Sequence, residues 1–356
     1  MGKRYRDLGF SIGMLPTGSK NCITDVSGVY VGHQTVKHPL EDDDFACTGV
    51  TAILPHEGNV FREKVIAASH VFNGFGKTTG LVQLNELGRL ESPIMLTNTF
   101  GVPAVAQGAL TYLLENNEEI GDTTGTVNTV VGECNDSYLN SIRKLPVTPE
   151  HARQAINKAT TEKVREGAIG AGSGMVCCGF KGGIGTSSRI VASGDTSYTV
   201  GCLVLSNFGR KEDLLHYYPA LKNMVTEVKV SEKDMETDGS IMIVLATDAP
   251  VNERQLHRIA KRCGIGLGRT GSNMANGSGD IVIAFTNNRT FPHHNESTIE
   301  EMPQLRDDHA VMNDMFQAAT EATNEAILNS LTMAETTRGR NSRVVEGILA
   351  SKSNNV

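Results

Sequence analysis

Short apolar runs alternate with amphipathic stretches and glycine-rich turns along this chain. Runs of strand length at residues 50–54, 94–97, 127–131, 175–180, 187–192, 198–206, 240–247 and 280–285 are predicted as strands, and the Val/Ile-rich ones belong at the centre of a sheet. Helical spacing marks 105–115 and then 149–165, where Thr148 can cap and Pro149 fits the first turn. A third helix is predicted at 253–267 behind the cap residue Asn252, and a long one at 308–334, with Val311, Met315, Ala319, Ala322, Ala326 and Leu331 near one face. Strands in both halves with helices between them predict an α/β fold of helices layered on sheet, in a single domain spanning residues 1–356. No composition shift or fixed-period repeat divides it, and the one low-complexity segment is the polar tail 351–356.

Composition narrows the class. A chain of 356 residues can bury a sizeable core, and with 37 glycines, no tryptophan and 5% aromatic residues that core must be aliphatic and rich in tight turns. A net charge of -7 with no basic stripe argues against nucleic acid or an acidic membrane as partner. The seven cysteines are odd in number, lack a CxxC pair and include the adjacent Cys177 and Cys178, a pattern of reduced thiols rather than disulfides or zinc. Lys3, Arg4 and Arg6 are followed by no apolar segment, and the longest apolar runs are strand-length, so a cytoplasmic protein is expected.

Familiar motifs are eliminated in turn. Gly74-Phe75-Gly76-Lys77-Thr78-Thr79-Gly80 looks like a phosphate loop, but the glycine required five residues before Gly76 is replaced by Val71. Gly266-Leu267-Gly268-Arg269-Thr270-Gly271 satisfies GxGxxG, yet it follows a predicted helix instead of a strand and is expected to be a helix-terminating loop. No GxSxG elbow is present, and no histidine lies in a metal-binding pattern, so neither a metal nor a cofactor is expected. What remains is Gly239-Ser240, at the mouth of the apolar run 241–246 and directly after the charged stretch 227–238. A serine there can become a new N-terminus if the chain cleaves itself, whereas the structural alternative is an ordinary turn before a strand. Gly172-Ser173-Gly174 and Gly277-Ser278-Gly279-Asp280 pose the same choice, since glycine clusters serve oxyanion sites and hairpin turns equally.

An ordered set of motifs weighs on that choice: Asn73-Gly74 through Thr79-Gly80, residues 93–98, Gly132-Glu133-Cys134-Asn135-Asp136, residues 179–186, Asn207-Phe208-Gly209, Asp238-Gly239-Ser240-Ile241, residues 246–250, and 277–281. In this order, from about Gly13 to Asp280 and beyond, the chain resembles the L-aminopeptidase/D-amidase-esterase family, which includes the β-peptidyl aminopeptidases. The resemblance implies a four-layer α/β/β/α sandwich shared with the ornithine acetyltransferases. It also implies self-cleavage at Gly239-Ser240 into chains 1–239 and 240–356, assembled as a homo-oligomer of cleaved heterodimers, a tetramer.

Within that resemblance, Ser240 is the nucleophile and its freed α-amine, with a reference pKa of about 7.7–8.0, is the base. Ser278 and Asp280 match a hydroxyl relay and an orienting carboxylate, Asn207 an oxyanion donor, and Glu133 the acceptor of the substrate's ammonium group. Asp280 is one methylene shorter than the glutamate of some relatives, Asn135 stands in the substrate pocket where relatives place an aromatic, and Lys77 departs from an acidic or polar position. The expected substrates are small peptides, amides or esters with a free amine, of L, D or β type. Two alternatives stay open: an ornithine-type acetyltransferase, disfavoured because that type normally uses a threonine nucleophile, and an uncleaved nucleotide-binding protein using the 74–80 loop.

Overall fold

The computed structural model describes residues 2–41, 43–222, 224–225 and 239–349; the charged stretch 227–238 and the tail 351–356 lie outside the described residues. Two sheets form the centre. The first has the order β1-β2-β5-β6, with β1 Tyr30–Pro39, β2 Phe45–Leu54, β5 Ile94–Asn98 and β6 Val130–Cys134. The second has the order β4-β3-β12-β11-β10-β9, with β3 Glu63–Gly74, β4 Arg89–Leu90, β9 Gly183–Ser193, β10 Thr196–Asn207, β11 Ser240–Thr247 and β12 Gly279–Pro292. Two-stranded ribbons complete the strands: β7 Val176–Cys177 with β8 Phe180–Lys181, and β13 Thr337–Arg338 with β14 Val344–Val345. The helices are α1 Leu81–Leu87, α2 Val102–Asn116, α3 Pro149–Asn157, α4 Lys211–Tyr217, α5 Pro219–Lys222, α6 Glu253–Ala260, α7 Cys263–Gly268 and α8 Val311–Thr332.

Three apolar cores glue these parts into the four layers expected. Val50, Ala52, Met95 and Val131 face Val105, Ala109 and Ala152 of α2 and α3. Ile53, Leu96 and Val130 face Leu203, Leu205, Met242, Val244 and Ile283 between the sheets. The other face of the second sheet, Val204, Ile243, Leu245 and Val282, packs on Leu256, Cys263, Met315, Ala322 and Ala326 of α6, α7 and α8. Strand β11 is buried at all eight positions, which is why its sequence reads as an unbroken apolar run.

The predicted stripe on α8 is buried, but so is most of the rest of the helix, including Glu321 and Glu325. Arg189 on β9, with no exposed surface, satisfies both: Nε to Glu321 at 2.9 Å and Nη2 to Glu325 at 2.8 Å. Gly185 lets the helix lie that close, since a Cβ there would fall 1.9 Å from the Ala326 carbonyl oxygen.

Several predicted boundaries are corrected. Segment 149–165 leaves the helix at Asn157, because Thr160 exchanges backbone hydrogen bonds of 3.0 and 3.1 Å with Val31 at the edge of β1. Segment 253–267 divides into α6 and α7; Gly264 and Gly266 serve close packing, on Phe72 and on the Thr320 carbonyl. The Gly266–Gly271 motif begins in the last turn of α7 and runs past its end at Gly268 into a turn, so it terminates the helix as expected while starting inside it. Segment 175–180 is not one strand but the β7–β8 hairpin, turned by Cys178 at φ 51° and Gly179 at φ 72°. The strand expected at 127–131 starts at Val130, because the Asn128 backbone and side chain are held by Glu91. Strands β1 and β3 were not predicted; β1 is an edge strand with polar exposed positions, and β3 carries small alanines with an exposed end.

Replacing Arg189 by Leu removes the one fully buried cation shared by Glu321 and Glu325, leaving Glu325 to Arg6 and Asn21 and Glu321 to Gln317 and the Met14 and Leu15 amides. The expected loss is about 3–5 kcal/mol, read as a lower urea midpoint with an unchanged slope.

Candidate active site

Three adjacent strands converge at one end of the second sheet. Asn207, the last residue of β10, pairs with Ser240, the first of β11, and Ser240 pairs in turn with Gly279 at the start of β12. Ser240 is 6% exposed. Its Oγ accepts a 3.3 Å hydrogen bond from the Gly279 amide, and the same amide donates at 3.3 Å to the Gly239 carbonyl. One N–H is thus shared between the serine hydroxyl and the carbonyl of the peptide bond preceding it. The structure supplies a steric reason for glycine at 239, because a Cβ would lie 2.2 Å from the Asn207 carbonyl oxygen and 2.4 Å from the Phe208 Cα.

Beside the serine, the Ser278 hydroxyl donates to Asp280 Oδ1 at 2.6 Å. Both residues are buried, and Asp280 Oδ2 has no hydrogen-bond partner among the described residues. Burial pushes the Asp280 carboxyl up to about 6, against the Ser278 hydroxyl and the Ile241 amide, which favour its ionised form. Asn207 Oδ1 accepts from the Val176 amide at 2.9 Å, which fixes the side-chain orientation and leaves the NH2 group as the end available to donate elsewhere.

Glu133 comes from the other sheet, on β6, and is 3% exposed. Its Oε1 accepts from the Lys77 amide at 2.9 Å and its Oε2 from the Thr99 hydroxyl. Among the described residues no cation pairs with it. The 74–80 loop joins β3 to α1, a strand–loop–helix context like that of a phosphate loop, but Glu133 already engages the Lys77 amide of that loop. The loop also joins the two halves of the site: a Cβ on Gly76 would lie 3.6 Å from Glu133 Oε1 and 3.8 Å from the Gly279 Cα. Glu133 and Gly279, the strand partner of Ser240, therefore both lie close to Gly76.

Ser240, Gly239, Asn207, Ser278, Asp280 and Glu133 are brought together. Among the described residues Asn135, two residues after Glu133, has no hydrogen bond to this group: it is exposed, and its Oδ1 accepts from the Ser137 amide in a local turn. A cleft of about 260 Å3 opens on the Gly239 and Ser278 side, lined also by Phe208, Arg210, Asp213 and Asn273. Sequence reasoning gave no role to Asn73, whose side-chain amide donates to the Ala275, Asn276 and Ser278 carbonyls and so clamps the loop carrying Ser278. It also missed Thr99 and the Gly279 amide; a backbone donor leaves no residue-type signal, and Thr99 is remote in sequence from its partner.

The Asp280 shift sets a stability test. A buried carboxyl whose folded value lies above the ordinary 3.8 stabilises the fold below about pH 4, and that contribution is lost as pH rises through about 6. Asp280→Asn is therefore expected to be more stable than the parent by about 3 kcal/mol at pH 8 and near parity at pH 4. A gap between the urea midpoints that does not change with pH would show that burial of the charge is not its cause.

The description Peptidase family S58 matches residues 21–345. The chain is 39% identical to a β-peptidyl aminopeptidase, BapA, of Sphingosinicella microcystinivorans, covering 97% of this chain and 89% of that protein. Among solved structures, the PH0078 protein of Pyrococcus horikoshii OT3 superposes with a TM-score of 0.88 at 47% identity, covering 97% of this chain and 96% of that one. An L-aminopeptidase D-Ala-esterase/amidase from Ochrobactrum anthropi, described as a prototype for the serine aminopeptidases and a new variant among the Ntn hydrolase fold, also gives 0.88, at 34% identity over 97% of this chain and 95% of that one.

Proposed function

The chain belongs to peptidase family S58 and is a hydrolase of the aminopeptidase type, and from that premise we propose that it matures by cleaving its own Gly239-Ser240 bond and then uses Ser240 as an N-terminal nucleophile. The observation that carries the proposal is the shared Gly279 amide, aimed at both the Ser240 hydroxyl and the Gly239 carbonyl. Attack of Oγ on the Gly239 carbonyl carbon moves the acyl group from nitrogen to oxygen, with the Gly279 N–H positioned to hold the oxygen that gains charge. Water then hydrolyses the ester and leaves Ser240 with a free α-amine.

In turnover the same hydroxyl attacks the substrate carbonyl. The α-amine takes the proton, the Asn207 NH2 group faces the developing oxyanion, and Ser278 with Asp280 orients the nucleophile's surroundings. Water releases the acyl-enzyme. Glu133 receives the substrate's ammonium group: it is a buried carboxylate, already organised by one N–H and one O–H, with no protein cation paired to it among the described residues. Substrates are then small peptides, amides or esters with a free L-, D- or β-amino group. Phe75 and Val82, exposed at 62% and 88% beside the site loop, support assembly of cleaved heterodimers into a homo-oligomer. Seven free, buried cysteines support a reducing, cytoplasmic setting.

Denaturing mass analysis tests maturation. The parent is expected as two chains, about 26 and about 13 kDa when 38.2 kDa is apportioned by length, and Ser240→Ala as one full-length, folded and inactive chain. Cleaved, active Ser240→Ala protein overturns the assignment.

Recognition of the amine is tested separately on matured Glu133→Gln. The ratio of kcat/KM for a free over an N-acetylated aminoacyl anilide should fall at least tenfold, because the substrate cation loses its partner. An unchanged ratio makes Glu133 a structural acid.

A further inference from the structure

Lys181 has no exposed surface. It closes the β7–β8 hairpin, and its ammonium donates three hydrogen bonds of 2.8 Å, to the carbonyls of Gly172, Met175 and Gly182. Three acceptors match the three hydrogens of an ammonium group; a neutral amine has two and would leave one carbonyl facing a lone pair. Burial pulls Lys181 down, to about 7, but the cradle is built for the charged form. Of the groups around it, Cys47 and the fully buried Asp136 favour the charged form and Lys37 opposes it, while burial pushes the Asp136 carboxyl itself up to about 7.

One of those three carbonyls has a second consequence. The Met175 C=O and the Val176 N–H are two ends of a single peptide group, trans like the rest of the described chain. Lys181 holds the oxygen end, and the hydrogen end holds Asn207 Oδ1 at 2.9 Å. A cation on the carbonyl makes the N–H of the same peptide a stronger donor, and that donor decides which way the Asn207 amide points.

We propose that Lys181 is a positioning residue for the reaction: its buried ammonium pins and polarises the Met175–Val176 peptide, and that peptide orients the Asn207 side chain toward the oxyanion. Lys181 touches no substrate; it acts through one peptide and one side chain. The inference rests on the reading of Asn207 as the oxyanion donor.

The test is a double-mutant cycle of Lys181→Ala and Asn207→Ala on matured enzyme, with kcat and KM measured on one aminoacyl anilide. Variants that isolate uncleaved are compared by their rate of self-cleavage on the same cycle. Lys181→Ala should lower kcat about 10–100-fold and leave KM within about twofold, and in the Asn207→Ala background the same change should have almost no further effect. If Lys181→Ala does not fold, Lys181→Gln, which keeps two N–H donors in the cradle, takes its place and is read identically. An unchanged kcat, or a loss that multiplies with that of Asn207→Ala, overturns the role of Lys181. If Asn207→Ala alone leaves kcat unchanged, it is the oxyanion reading that fails.

Discussion

The hydrogen-bond register of β10, β11 and β12 is the constraint on which the site depends. Asn207 opposite Ser240, and Ser240 opposite Gly279, follow from ladders that run unbroken for eight residue pairs each, Val200 to Asn207 on β10 and Gly279 to Thr286 on β12. A slip of one residue would exchange Met242, Val244 and Ala246, which fill the space between the sheets, with Ile241, Ile243 and Leu245, which pack on the helices. Burial on both faces therefore fixes the position of the nucleophile. Strand β3 adds to the aim: Asp280 pairs with Asn73 and Ile281 with Val71, so Phe72 is an extra residue, a bulge beside the site that frees Asn73 to clamp the loop below.

The charged groups around this frame differ in how they are satisfied. Glu133 has a donor on each carboxylate oxygen, whereas Asp280 has its Ser278 donor and one bare oxygen, and burial raises its proton affinity. Lys181 is saturated by carbonyls. A carboxylate with organised donors stays ready for a cation; one with a bare buried oxygen is poised between its two protonation states near neutral pH. Among the described residues no imidazole enters the cluster, and the proposed α-amine base does not require one.

Much of this was legible in the residues. The buried run of β11 and the apolar stripe of α8 follow from hydrophobic pattern, because both elements are long and their burial is nearly complete. The order of motifs located Ser240, Asn207, Ser278, Asp280 and Glu133, which folding then collects from two sheets. Less legible were elements whose identity depends on a distant partner. Edge strand β1 has too polar a face to announce itself, and α3 stops at Asn157 only because Thr160 is captured by Val31. The exposed Asn135 side chain closes a turn on Ser137, a local contact that its motif does not announce. Contacts made by backbone groups, such as the Gly279 amide, have no residue signature at all.

The shorter acid at 280 illustrates how local geometry decides function. A glutamate there would carry its carboxylate one bond further from β12, and the 2.6 Å contact from Ser278, two residues back on the chain, would have to be rebuilt. With aspartate the acid is held next to its own strand, at the cost of an unpartnered Oδ2 in a buried setting. The neighbouring chain is correspondingly rigid: Asn73 holds the carbonyls of Ala275, Asn276 and Ser278 together, and Gly279 has backbone from Phe75 and Gly76 within about 3 Å of where a side chain would begin. A short acid can orient a hydroxyl only if the segment carrying both cannot move, and here that stiffness comes from one asparagine on β3 and the close packing of two glycines.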